Sequence, residues 1–447
     1  MPGKPPVTDR LAALYRQHIA TVVAGATHAL SRGNCDHLLI PSGVLTYRFQ
    51  DDNPYPFHVS APFKAWVPLI QHPDCWIAFT PGKKPVLVYH QPADYWHLPP
   101  SDPGGFWVEH FDVRVIREPN QARQHLPRDL SRAAIVGEAG SALDDVVPDN
   151  PRAVVDSLHV GRTRKSAYEL ECMRRASLKG AIAHRAAGGA FRDRRSEYEI
   201  HLAYCEAAGQ SEHELPYGNI VALNEHGATL HYQHQERARP AEHRSLLIDA
   251  GAQFNGYAAD ITRTFGHGDP EFSHLLESVT REQYALCAKV RPGVDWRDFH
   301  LDAHRAMGRV LKDLDVVRME PESQLESGVS SVFFPHGIGH FLGLQVHDVA
   351  GFLKDESGET IPKPAGHPYL RCTRKLESGN VVTVEPGIYF IDMLLDGLRK
   401  GPHSGAVNWD KVERLHKFGG IRIEDNVAVT DGDPENMTRD AFRALAA

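Results

Sequence analysis

The amino-acid sequence predicts an α/β amino-terminal domain followed by a larger α+β domain. Three observations carry this expectation: a length of 447 residues, apolar runs alternating with helical patterns over the first third, and a carboxyl-terminal half that is largely strand-like. A chain this long exceeds one compact core and divides into two or three domains. Alternating strands and helices build a layered α/β domain, whereas helices followed by many strands build an α+β one.

Along the first third, strand-like runs are "CDHLLI" (35–40), "CWIAFT" (75–80), "PVLVYH" (85–90) and "AAIVG" (133–137). Helical patterns lie near 9–32, 61–71 and 120–131. This part is rich in aromatics and prolines, as in "DDNPYPF" and "PADYWHLPP", and has no dinucleotide-binding or Walker spacing. A boundary is expected near 160, giving domains 1–160 and 161–447. Ser166-x-x-Glu169 is a capping box ahead of Leu170, Met173 and Ala176 at helical spacing. A second box, Ser196-x-x-Glu199, starts another helix, and further helices fit 270–290, stopped by "RPG", and 295–313. The remaining strand-like runs include "SLLIDAG", "VVTVEPG" and "IRIEDNVAV".

Composition narrows the function classes. At 42% hydrophobic and 24% charged, the chain is ordinary soluble material. A net charge of -8 without basic runs argues against nucleic acid and anionic membrane as partners. The six cysteines are scattered with no C-x-x-C pair, which fits a reducing compartment rather than a thiolate metal site. No apolar run approaches the roughly 20 residues that span a bilayer, and the start lacks a signal-peptide pattern, so a cytoplasmic location is expected.

The chemistry concentrates in four segments. "LLIDAGAQFNGYAADITRTF" (246–265) reads as a hairpin about Asn255-Gly256, with Asp249 placed opposite Asp260. Facing carboxylates repel, and a bound cation reverses the sign of that interaction. Glu385 ends the apolar run "VVTV" before Pro386-Gly387, and Glu424 alternates with Ile421 and Ile423 beside Arg422, a candidate ion-pair partner. "PHGIGHFLGLQVHD" (335–348) holds His336, His340 and His347, and its residues alone leave open which of them binds metal. Four carboxylates and one imidazole suit two divalent ions, Mn²⁺ and similar, with Co²⁺, Fe²⁺ or Zn²⁺ also accommodated. Such a pair activates a water for hydrolysis.

The ordered set Asp249, Asp260, His340, Glu385 and Glu424 resembles the ligand signature of the pita-bread metallopeptidases. "D-x10-D", "HGIGHFLGLQVHD", "TVEPGIYF" and "GGIRIED" occur in that family's order, while "DDNPYPF" and "FKAWVPL" resemble the amino-terminal domain of bacterial prolidases and the similar organophosphorus acid anhydrolases. The resemblance implies a pita-bread catalytic domain over 161–447, with 1–160 serving dimer formation and pocket closure. It implies an Xaa-Pro dipeptidase that uses a water activated between two divalent ions per subunit, most simply Mn²⁺, with Co²⁺ or Zn²⁺ as substitutes. The alternatives are phosphotriester hydrolysis of the anhydrolase type and aminopeptidase P action on longer Xaa-Pro peptides. Residue roles carry over by motif. Asp249 would hold one ion, Asp260 and Glu424 would bridge both, and His340 with Glu385 would hold the other. Glu385 would also be general base, with His347 on the substrate carbonyl or oxyanion. His231 would clamp substrate, Arg371 would bind its terminal carboxylate, and Arg422 would support the catalytic site from beside Glu424. His336 and Tyr217 would line the pocket. The family implies a homodimer, with residues such as Asp51, Asp52 and Trp96 reaching the partner's site.

Overall fold

A computed structural model describes residues 9–138, 143 and 145–446. Two compact units emerge. The first runs to Cys172 and takes in Asn255–Tyr257 and Leu353–Thr360, and the second holds the rest.

In the first unit, helix α1 (Asp9–Gly33) precedes strand β1 (His37–Pro41) and the short helix α2 (Ala61–Lys64). Strands β2 (Trp76–Phe79), β3 (Val86–His90), β4 (Asp112–Ile116) and β5 (Ala133–Ile135) follow, then helix α3 (Arg152–Arg162). The strands form one mixed sheet in the order β4-β3-β2-β1-β5, with β3–β4 and β1–β5 parallel. The expected α/β layering is therefore present, and its four foreseen strands are joined by β4. Two expected helices are curtailed. The segment 61–71 is helical only over α2, because Pro68 has no N–H to continue it. The segment 120–131 is a 3₁₀ turn over Pro119–His125, ended ahead of Pro127.

Helix α4 (Ala167–Arg192) starts at the foreseen capping box, in which Ser166 N donates to Glu169 Oε2 (2.7 Å). Helix α5 (Glu197–Ala208) starts at the second box and stops at Gly209, whose φ of 62° gives a left-handed cap. Strand β6 (Ile220–Leu223) leads to β7 (Ser245–Asp249), β8 (Ala252–Phe254), β9 (Tyr257–Ala259) and β10 (Thr262–Gly266). Helices α6 (Pro270–Cys287), α7 (Trp296–Asp313), α8 (Pro321–Glu326) and α9 (Val329–Phe333) come next. Then come β11 (Val381–Val384), β12 (Gly387–Tyr389), α10 (Asp392–Lys400), α11 (Trp409–His416), β13 (Gly420–Arg422), β14 (Asp425–Ala428), β15 (Glu435–Asn436) and α12 (Met437–Ala444).

Two strand registers position the acidic residues. The β7–β10 ladder pairs Asp249 with Thr262, and its midpoint falls on the Asn255-Gly256 turn, where both residues take positive φ. Asp249 thus lies opposite Thr262 and not Asp260, a correction of two residues to the expected register. In the carboxyl-terminal strands, Val384 pairs with Asp425 and Gly387 with Arg422. The ladder is interrupted between these pairs, so Glu385-Pro386 faces Ile423-Glu424. Pro386 cannot donate to a ladder, which explains the break. A single core of buried side chains from α6, α7 and strands β11 to β14, including Phe272, Trp296, Val384 and Ile421, holds this interruption rigidly. Among the described residues no helix is long and apolar enough to cross a membrane, and all six cysteines are free.

Candidate metal centre

Each carboxylate candidate stands where a strand stops. Asp249 ends β7, and Asp260 lies between β9 and β10 with its N–H donating to Asn426 Oδ1 (3.2 Å). Glu385 follows β11 with its N–H on Ile338 O (2.9 Å). Glu424 follows β13, its N–H on Thr262 O (3.1 Å) and its Oε2 accepting from Thr262 Oγ1 (2.7 Å). His340 comes from the glycine-threaded loop after α9. Its Nδ1 lies 3.0 Å from Phe341 O, which fixes that nitrogen as the donor and leaves the Nε2 lone pair for a ligand. Nε2 lies 3.5 Å from Asp260 Oδ2 and 3.6 Å from Glu385 Oε1. Asp260, His340 and Glu424 each offer one ligand atom, all within 4.8 Å of one another.

This crowding of acids is the observation that tests the fit of a metal. Burial, reinforced by Asp260 and Asp249 against the charges of His340 and Arg422, pushes Glu385 up to about 7. Burial and the neighbouring acids hold Glu424 well above the carboxylate range. Burial also raises Asp249, with Arg422 opposing. Like charges brought together out of water are costly without a cation, so the donor set fits divalent metal ions.

Two aromatic hydroxyls organise the set. Tyr217 Oη lies 2.7 Å from Asp249 Oδ1 and 2.5 Å from Asp260 Oδ1, so it sits between the aspartates and does not line the cavity as expected. Arg422 Nη2 donates to Asp249 Oδ2 (2.8 Å) and Nη1 to Tyr389 Oη (2.8 Å), which also meets His336 Nε2 (2.8 Å). The candidate Arg422–Glu424 ion pair is therefore replaced by Arg422–Asp249, because the strand breaks before Glu424. Both oxygens of Asp249 are engaged by Tyr217 and Arg422, so ligation there exchanges a hydrogen bond for a metal bond. Tyr389 and Thr262 were not singled out in the sequence. Alternation on "GIYF" and the β7–β10 register are the signals that point to them.

A cavity of about 550 Å³ opens over the ligands and is lined by His231, His336, His340, His347, Tyr369, Arg371, Glu385 and Met393, among others. Arg371 is solvent-accessible there and enters no ion pair among the described residues. Burial keeps His336 near 3 and His347 near 4, so both imidazoles are neutral around pH 7.

The loop's second glycine has a defined task. Gly339 has φ +153°, and a Cβ on it would stand 2.0 Å from Thr383 O. Thr383 Oγ1 in turn accepts from His340 N (3.1 Å) and approaches Glu385 Oε1 (3.4 Å). Gly339→Ala should therefore force the loop off β11 and destabilise the metal-free protein by roughly 2–5 kcal/mol. Thermal unfolding of the two metal-free proteins measures this, and equal midpoints would contradict it.

Comparison with known proteins shows the family. The sequence profile described as "Xaa-Pro dipeptidase, N-terminal domain" matches residues 13–160, and that of "Metallopeptidase family M24" matches 171–431. An Xaa-Pro dipeptidase of Stenotrophomonas maltophilia (strain K279a) is 53% identical, covering 97% of this chain and 98% of its own. One from Xanthomonas campestris pv. campestris (strain 8004) is 52% identical, covering 97% and 99%. Among solved structures, Zn-substituted E. coli aminopeptidase P in complex with product superposes with a TM-score of 0.71 at 22% identity, covering 95% of each chain. Pseudomonas aeruginosa aminopeptidase PepP gives 0.71 at 22%, covering 97% and 98%. At that identity the likeness speaks to the fold, which is the expected pita-bread one.

Proposed function

The chain belongs to metallopeptidase family M24, and from that premise we propose that it is an Xaa-Pro dipeptidase, hydrolysing dipeptides whose second residue is proline. The observation that carries the substrate class is the 53% identity to an Xaa-Pro dipeptidase over nearly the full length of both chains. The same likeness favours dipeptides over phosphotriesters or longer peptides. Asp249, Asp260, His340, Glu385 and Glu424 would hold two divalent ions, Mn²⁺ by the hardness of a mostly carboxylate set. When bound, such ions supply Lewis acidity, making a water more acidic and polarising the scissile carbonyl.

The chain's own residues do the rest. Glu385, on the cavity side of the set, takes and returns a proton at a carboxylate oxygen. Neutral His347 donates an N–H to the developing oxyanion. His231, accessible on the cavity wall, closes over the substrate, and His336 shapes the same wall. Arg422 opposes the effect of burial on Asp249 and orients its carboxylate. A tertiary Xaa-Pro amide has no N–H and a sizeable cis population, so a site built around it serves peptides that general peptidases handle poorly.

Arg371 sets substrate length. Its planar fork binds both oxygens of a carboxylate, which in a dipeptide belongs to the proline itself. In a tripeptide that position is a neutral amide. Ala-Pro should accordingly be cleaved far better than Ala-Pro-Ala, and Arg371→Ala should narrow the gap by lowering kcat/KM for the dipeptide about ten- to a hundredfold. Measuring kcat/KM for both peptides in both proteins tests this, and equal cleavage by the unmodified enzyme would assign it to aminopeptidase P. We further propose a cytoplasmic homodimer, in which residues 1–160 form the self-association domain and 161–447 the catalytic one. The exposed Phe49, Tyr95, Trp96 and Leu98 support an association surface in the first of these, with Asp51 and Asp52 nearby in sequence.

A further inference from the structure

A second group of ligand-type side chains lies apart from the carboxylates. His300 and His304 stand one turn apart on α7 and are each only 1% exposed, while His367 meets them from the segment before β11. His300 Nε2 and His367 Nδ1 are 3.0 Å apart, and the ring centroids lie 4.6, 4.7 and 4.6 Å from one another. One ring nitrogen from each histidine lies within 4.8 Å of the other two. A cavity of about 180 Å³ adjoins them, and no carboxylate lines it.

Hydrogen bonding leaves ligand positions open in this cluster. Buried polar atoms are as a rule paired, and an unpaired one is costly. Here His300 Nδ1 and His304 Nε2 are buried and have no partner. His304 Nδ1 meets Ser330 Oγ at 3.0 Å, an outer contact of the kind that fixes a metal-binding imidazole's tautomer and presents its Nε2. Burial keeps His304 near 3 and His300 well below its usual range, so both are neutral, as ligands must be.

We propose that His300, His304 and His367 bind one divalent transition-metal ion of the zinc class, separate from the carboxylate centre, with a solvent ligand in the adjoining cavity. All-imidazole sets suit Zn²⁺, Co²⁺, Ni²⁺ and Cu²⁺, whereas Mn²⁺ prefers oxygen. Three protein nitrogens plus an open position is a familiar zinc arrangement. The ion ties residue 367 to α7, and Tyr369 and His336 line both this cavity and the larger one. The two cavities therefore share part of one wall.

The test strips the full-length protein of metal and measures uptake of Zn²⁺ alone and of Mn²⁺ alone. The unmodified chain should take up one more equivalent of Zn²⁺ than His367→Ala, with equal Mn²⁺ uptake and with Mn²⁺-supported Ala-Pro hydrolysis kept in the variant. His304→Gln repeats the comparison should His367→Ala fold poorly. Zinc-edge anomalous diffraction from crystals of the unmodified protein grown with Zn²⁺ needs no variant, and a peak among the three rings is expected. Equal Zn²⁺ uptake in well-folded variants, or no peak there, overturns the proposal.

Discussion

Exhaustive chelation is expected to abolish dipeptide hydrolysis, and Mn²⁺ or Co²⁺ to restore it. The reason lies in the charges. Glu385 and Glu424 resist ionisation because burial and their neighbours oppose a second and third negative charge. Divalent ions reverse that interaction and supply the Lewis acidity that the side chains lack. The same electrostatics predict how the metal-free protein responds to pH. A carboxyl whose folded value lies above its unfolded one binds more protons when folded, so stability falls as pH rises between the two values. For Glu385 that window runs from its ordinary 4.5 to about 7. Glu424 extends it upward, while Asp260 works the other way, because His340 and Tyr217 outweigh the effect of its burial and hold it down. The share of metal-free stability that depends on Glu385 and Glu424 should thus fall on going from about pH 5 to about pH 7, while the depressed His300, His304, His336 and His347 act in the opposite sense, and added Mn²⁺ should raise the melting temperature most at the upper end. Full activity in a verified metal-free preparation would overturn the reading, as would a Mn²⁺-induced rise in midpoint that is smaller at about pH 7 than at about pH 5.

His340→Ala and His347→Ala should fail in different ways. His340 is buried with Nδ1 committed to Phe341 O, and its Nε2 stands about 3.5 Å from two carboxylates, a gap that a shared cation fills. Its removal should lower the bound metal and take activity with it. His347 lines the cavity wall, with its ring edge-on to His340 at 4.4 Å between centroids. Its removal should leave metal content unchanged and lower kcat about 10²–10³-fold, the usual loss for one oxyanion donor. Metal analysis beside kcat separates the two, and the reverse pattern would exchange the roles.

Much of the fold and the metal centre was legible in the sequence because local chemistry and tertiary structure agree. Ser166 with Glu169 and Ser196 with Glu199 mark helix starts wherever they occur, and "VVTVEPG" marks a buried strand that must stop. What escaped depended on partners distant in the chain. Strand β4, "DVRVI", carries two charged residues in five and becomes a strand through its ladder to β3. The Asp249 register was displaced by two residues because apolar residues run through "LLIDAGA", so alternation cannot choose between neighbouring pairings. Arg422 and Glu424 share a face only in an unbroken strand, and the break is imposed by Pro386 on the opposite strand. The histidines of α7 are four apart, but only the fold brings His367 to them.

The interruption shared by Glu385-Pro386 and Ile423-Glu424 has a consequence for how such a centre can change over generations. Two of its acids are delivered by one irregularity, formed by segments almost forty positions apart. Losing or gaining a single codon on either side would rotate that side's carboxylate into the hydrophobic interior, while its counterpart stayed in place. Neither acid can drift independently, so point substitutions around the pair remain open to selection while small insertions and deletions within it do not. Transplanting the centre into another scaffold would likewise require both segments together, as one inherited unit.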